Sequence, residues 1–207
     1  MPQLETRTWP LELAPGAEVR IEADAASITV LRVEPGQSAR AELAEEALKW
    51  FELNVTNQNG SAQIRLNLRP ESFRQNWLDW FTPRKGGLTV YLPDATNVQL
   101  HAEAGKVCVQ DLDLESLDVT ADAGAVSLRR LTGAIRARAS AGKIDGEDLA
   151  GTLDVQATTG AVRMRLAALD AGEPDIRADV GTVQVELPRG AAIRVMAESS
   201  LGSVRDD

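Results

Sequence analysis

Leu117-Asp-Val-Thr-Ala-Asp-Ala-Gly124-Ala-Val-Ser-Leu128 is the stretch that decides the fold. Leu117, Val119, Ala121 and Ala123 alternate with Asp118, Thr120 and Asp122, the two-residue period of a strand with one buried side. Gly124 interrupts the alternation, and Val126 and Leu128 resume it. The phrase recurs around Gly105, Gly142, Gly160 and Gly181, giving spacings of 19, 18, 18 and 21 residues. Two places after each glycine stands Val107, Val126, Ile144, Val162 or Val183. Three places before stands Ala102, Ala121, Ala139, Ala157 or Ala178, and five before stands Leu100, Val119, Ala137, Val155 or Ile176. Gly133 and Gly151 mark a second break nine residues after Gly124 and Gly142. Self-similarity at this period predicts an all-β solenoid, in which each coil covers the apolar side of its neighbour.

Coils stacked about 4.8 Å apart bring equivalent residues into columns. Six places before the glycine the outward column reads Gln99, Asp118, Arg136, Asp154, Asp175; five after, it reads Gln110, Arg129, Glu147, Arg165, Glu186. Alternating charge between neighbouring strands is favourable by roughly 0.2–1 kcal/mol per pair. These columns are therefore expected to set register and solubility rather than to form a carboxylate catalytic site.

The 207 residues fit one elongated domain or two small ones. The net charge of −9 argues against a nucleic-acid partner, whose backbone requires the opposite sign. Cys108 is the single cysteine, so no internal disulfide forms; it lies between Val107 and Val109 and is expected to face outward as a bystander thiol. No run approaches the roughly 18 apolar residues that cross a bilayer. Met1-Pro-Gln-Leu-Glu5 has no secretory pattern. The expected location is the cytoplasm, with peripheral membrane association as the alternative.

Along the chain, residues 1–68 read as an irregular N-terminal coil and hairpin, 69–87 as an insertion, 88–187 as the regular coils, and 188–207 as a terminal coil and frayed tail, all within one elongated domain. With Ala26 in the glycine slot, Val19, Ile21, Ala23, Ala25, Ile28 and Val30 fall into the buried columns, with turns at Pro15-Gly16 and Pro35-Gly36. Trp9 is expected to cover an open end. Ala41–Lys49 reads as either a strand or one helical turn. Asn57-Gln-Asn-Gly60 between two alternating runs signals a hairpin. In the insertion Phe73, Trp77, Trp80 and Phe81 have the spacing of one helix face, which predicts a short amphipathic aromatic helix. Four of the seven Phe and Trp residues fall there. Leu88, Val90 and Leu92 read as inward positions of a strand that leads into the regular coils.

Leu88-Thr-Val-Tyr-Leu-Pro-Asp94, then Val98-Gln-Leu-His-Ala-Glu-Ala-Gly-Lys-Val107, then repeated Ala-x-Ala-Gly-x-Val, resembles the bacterial putative-adhesin domain of β-strand repeats (domain of unknown function 4097). The resemblance runs from about Val19 to Val204 and is strongest over Leu88–Leu187. It implies a parallel β-solenoid (β-helix), a structural or interaction role at the cell envelope, and no catalytic residues.

Chemistry-bearing residues are few. His101 is the only histidine and is expected on the outer face, without the companions of a zinc site. Asp111-Leu-Asp-Leu-Glu115 and Asp145-Gly-Glu-Asp148 supply oxygen ligands but lack the spaced loop of a calcium site, and read as solvated turns. No glycine cluster cradles a phosphate, and no cofactor or metal is expected. The expected function is a non-enzymatic scaffold that associates with itself, as a homo-oligomer, or with another protein, through the solenoid ends or through Phe73, Trp77, Trp80 and Phe81. The alternative is a peripheral membrane binder with those aromatics in the interface and Arg69, Arg74, Arg84 and Lys85 near lipid phosphates. A carbohydrate-active β-helix enzyme is the second alternative, on fold analogy alone.

Overall fold

The computed structural model describes residues 5–69, 87–166, 174–187 and 196–206, the last of these by backbone alone. Its strands are β1 (Thr6–Pro10), β2 (Glu18–Ala25), β3 (Ile28–Arg32), β4 (Arg40–Ala44), β5 (Phe51–Gln58), β6 (Ser61–Leu68), β7 (Leu88–Leu92), β8 (Asn97–Leu166), β9 (Asp175–Glu186) and β10 (Met196–Asp206). Strand β8 is an uninterrupted run of 70 residues that winds through the regular coils. Its last turn lies parallel to β9 with Ala157 beside Ala178 and Gly160 beside Gly181. Strand β10 continues the stack in parallel, Gly202 beside Gly181. Toward the other end, Ala23 pairs with Ala102 and Ala25 with Ala104, so Ala26 does occupy the glycine slot.

The corner explains the glycines. Gly105, Gly124, Gly142, Gly160 and Gly181 have φ between +130° and +149°, a backbone region essentially closed to side-chain-bearing residues. A Cβ on Gly142 would also overlap the carbonyl oxygen of Gly124, which in turn sits on Gly105. Each corner therefore rests on the one beneath it with no room for a methyl group. A second column repeats this nine residues later, where Gly151 rests on Gly133 and Gly133 on Leu114.

Inside the stack, the residues two places after the glycine slot (Ile28, Val107, Val126, Ile144, Val162, Val183) are fully buried. The alanine column is buried too, at the point where the two walls converge on the corner and only a methyl group fits. Ala123 and Ala25 depart from expectation, the first exposed and the second half-buried, because the residue just before the corner points out of the bend.

The N-terminal end holds the main topological departure. Asn59 and Gly60, both at positive φ, close a two-residue hairpin between β5 and β6. Strand β6 lies parallel to β2 and β7 parallel to β3. Together β6 and β7 thus build a further coil on the far side of β2 and β3, rather than an irregular hairpin and a lead-in strand. Antiparallel strands finish this end: β5 on β6, β4 on β7, and β1 on β4. Trp9 pairs with Ala41 there and packs against the core. Ala41–Lys49 proves to be both structures, strand β4 followed by a 3-10 turn over Glu45–Lys49.

The expected aromatic helix lies outside the described residues, but its attachment is visible. Leu66 pairs with Ala23 and Leu88 with Ile28, so the chain leaves and re-enters at the level of Ala26. Arg69 and Gly87 thus flank, in sequence, the level at which a single corner glycine stands elsewhere. Leu68 N–H donates to Asp24 Oδ2 at 2.8 Å, Arg69 N–H to the Trp50 carbonyl at 2.9 Å, and Leu88 N–H to the Ser27 carbonyl at 2.9 Å. The tail also differs from expectation, since Arg205 and Asp206 remain paired with Gln184 and Val185.

Corner packing sets a clear expectation for stability. Gly142→Ala should cost about 3 kcal/mol or more, from strain plus backbone overlap. Gly36→Ala, at a φ of +82° with nothing within 4 Å of the added methyl, should cost about 1 kcal/mol. Urea midpoints of the two variants compare them directly; equal losses would remove the close approach as the reason for glycine.

Candidate interaction surface

The outer face is organised by charge ladders. In the column six places before the glycine, Arg136 bridges Asp118 at 3.8 Å and Asp154 at 3.0 Å. In the column five after, Glu147 lies 4.0 Å from Arg129 and 2.9 Å from Arg165, which reaches Glu186 at 3.0 Å. Both columns alternate as the sequence predicts. Asp175 stands beside Asp154, a like charge, and turns instead to Arg177 in its own strand at 2.8 Å.

A third ladder was not anticipated. Asp111, Arg130 and Asp148 sit six places after the glycine at φ of +61°, +48° and +55°, on a second corner of the coil. Arg130 grips Asp111 with two hydrogen bonds, Nη2 to Oδ2 at 2.9 Å being one of them. Arg32, at the equivalent place of the preceding coil, donates from Nε to the Asp111 carbonyl at 2.9 Å and ion-pairs with Asp113 and Asp94. Reading Arg32, Asp111, Arg130, Asp148 down the alignment shows the alternation, but these residues lie at a bend, outside the two-residue strand period. The Arg130 hydrogen bond holds the Asp111 carboxyl below its ordinary pKa, with Arg130 and Arg32 charges adding to it against a desolvation cost.

These contacts absorb the acidic runs. Asp111 and Asp113 face arginines, Asp145 pairs with Lys143 at 2.6 Å, and Glu147 pairs with Arg165. Among the described residues no group of three metal-ligating side chains forms. His101 is exposed, with Nε2 3.8 Å from Asp122, on the outer face as expected. Cys108 is half-buried, rather than fully exposed, and its Sγ donates to Gln110 Oε1 at 3.8 Å. A groove of about 320 Å³ runs over Gly146 between Arg129, Lys143, Glu147, Arg165 and Glu186, all of them ladder or pair members.

The residues singled out for membrane or protein contact divide unequally. Phe73, Trp77, Trp80, Phe81, Arg74, Arg84 and Lys85 lie outside the described residues. Arg69 is described, and its Nε donates to the Phe51 carbonyl at 3.2 Å, which ties it to the edge of β5. Among the described residues no helix is long and apolar enough to cross a membrane.

The two ends of the stack are unlike. At the N-terminal end β1 is five residues long and closes with Pro10, and β5 carries Arg69 on its first carbonyl; both devices discourage further pairing. At the C-terminal end β10 spans eleven residues, and among the described residues it pairs with β9 alone.

The model of the family described as Toastrack DUF4097 matches residues 17–207. Among solved structures, the chain is similar to a "putative adhesin" of Bacteroides fragilis, at 13% identity and a TM-score of 0.37, with 100% of this chain and 98% of that chain covered. It is also similar to a "putative cell adhesion protein" of Clostridium sporogenes, at 9% identity and a TM-score of 0.42, with 98% of each chain covered. No curated protein matches the sequence. The family resemblance carried by Leu88–Leu187 and the match over residues 17–207 point the same way, and the chain belongs to the Toastrack DUF4097 family.

Proposed function

We propose that the chain is a non-enzymatic interaction scaffold of adhesin-like, cell-envelope-related type, which associates with another protein, a second copy of itself first of all, through the open end of its stack. The inequality of the two ends carries this reading. A parallel strand edge with unpaired N–H and C=O groups is a template for another strand unless it is blunted. Strands β1 and β5 are blunted, whereas β10 has one strand neighbour among the described residues.

The electrostatics support a structural role for the outer face. Asp111, Arg130 and Arg165 have displaced protonation equilibria, and in each the largest cause is the hydrogen bond to a ladder partner. A catalytic carboxylate is instead expected in a cleft, displaced by burial and aimed at a substrate. The family itself has no assigned activity.

Light scattering on the full chain across a wide concentration range tests the reading, with Trp77→Ala and Trp80→Ala variants alongside. A mass above the monomer that rises with concentration and persists in both variants is the expected result. A monomer at every concentration overturns self-association. Binding to anionic vesicles at low salt, lost in the tryptophan variants, would overturn the scaffold reading in favour of membrane attachment.

The ladder role has its own test. Because Asp111 has a lower pKa folded than unfolded, its contribution is complete above the unfolded value near 3.8 and fades as pH falls through the folded value. Asp111→Asn should therefore lower stability at pH 7 by at most about 1 kcal/mol, given the exposure of the pair. Thermal melts across pH should show the gap between variant and parent closing in acid. A gap that stays constant down to pH 2 would mean that the carboxylate charge is not what Asp111 contributes.

A further inference from the structure

The residue just before the corner is exposed or half-buried from Ala25 to Val180, and the identity at this register position changes along the stack up to Leu201. That column reads Ala25, Ala104, Ala123, Ala141, Thr159, Val180, Leu201. It is small through the regular coils and grows apolar toward β10. Among the described residues Val180 is the large hydrophobic side chain that is exposed, at 43%. Leu201 stands in register with it one coil further on. Exposed Val180 and the register position of Leu201 thus follow one another up the corner, to the edge of β10 that pairs with no strand among the described residues.

The N-terminal end of another copy cannot continue this stack. It presents antiparallel strands, and Arg69 and Gly87 flank, in sequence, the level at which a corner glycine would have to lie. The C-terminal end of another copy can, if it arrives about a two-fold axis beside the corner. Each limb of β10 then runs antiparallel to the opposite limb of its mate. Directly opposed residues in an antiparallel pair share a face, which restricts the register. Ala197, Ser199, Val204 and Asp206 stand beside the buried Ile176, Ala178, Val183 and Val185. Setting Ala197 opposite Asp206 and Ser199 opposite Val204 keeps this face together. It also sets Glu198 opposite Arg205 twice, once on each side of the axis, and Ser200 opposite Ser203. Among registers that keep like faces together, this one alone makes those charge pairs. The Leu201 register positions of the two copies then meet at the axis with Val180 one coil behind each, a self-complementary arrangement of the kind a two-fold interface requires.

We infer that the C-terminal edge is a tail-to-tail dimerisation surface, with β10 paired to β10 of a second copy in the register that opposes Glu198 and Arg205. This rests on the self-association reading and adds its geometry. Sedimentation equilibrium on the full chain tests it by charge reversal. Glu198→Arg alone and Arg205→Glu alone should each weaken the dimer roughly tenfold or more, and the double reversal should restore it to within about threefold. Val180→Asp should weaken it without altering the circular dichroism of the monomer. In a Cys108→Ser background, mixed S200C and S203C chains should form a disulfide-linked dimer on oxidation, and neither chain alone should do so. A dimer indifferent to both reversals, with no cross-link in the mixture, overturns this geometry and leaves self-association standing. A chain that is monomeric throughout overturns both.

Discussion

The structure depends on one steric fact: a carbonyl oxygen lies where the Cβ of the next corner residue would be. Gly142 over Gly124 and Gly124 over Gly105 exclude any side chain, and the same contact holds neighbouring coils in a single register. Once that register is fixed, the isoleucines and valines two places on must meet in the interior, and the charges outside must meet in columns. A slip by one residue would turn every buried side chain to solvent, so the corner and the core enforce each other. The second glycine column at Gly133 and Gly151 pins the same coils at another bend.

Much of this was legible in the sequence because contact and spacing coincide in a stacked coil. Gly124 and Gly142 are neighbours in space because they are one period apart, so alignment alone places Asp118 beside Arg136 and Glu147 beside Arg165. What escaped the alignment lies where period and space part company. Strands β6 and β7 form one coil, but the segment 70–86 separates them and erases the repeat. Ala123 keeps the strand alternation on paper and loses it in space, because the chain bends one residue later. The Arg32–Asp111–Arg130 ladder sits on a bend where residues other than glycine take positive φ, which strand periodicity does not reveal. The candidate surface was less legible than the fold: sequence named both the solenoid ends and the aromatics, and the geometry adds which end has the longer strand edge and that Val180 is exposed beside it.

Charge neutralisation along the outer face has a chemical corollary. An arginine held between two carboxylates, as Arg165 is between Glu147 and Glu186, has its donors committed before any ligand arrives. On the proposed reading, recognition would fall to the ends of the stack rather than to these flanks.

The order in which the chain lays down its coils differs from their order in space. Strands β2 and β3 come early in sequence yet lie between strands made from later residues, 61–68 and 88–92 on one side and 97–110 on the other. The N-terminal third is thus interlocked, its parts mutually indispensable. Beyond residue 97 each coil leans only on the one before, through identical bends. One period from Gly124 to Gly142 could be excised or duplicated with every bend still seated on its predecessor. The repeated part of the architecture therefore sets no length of its own, and its reach could change by whole periods while the interlocked base stays as it is.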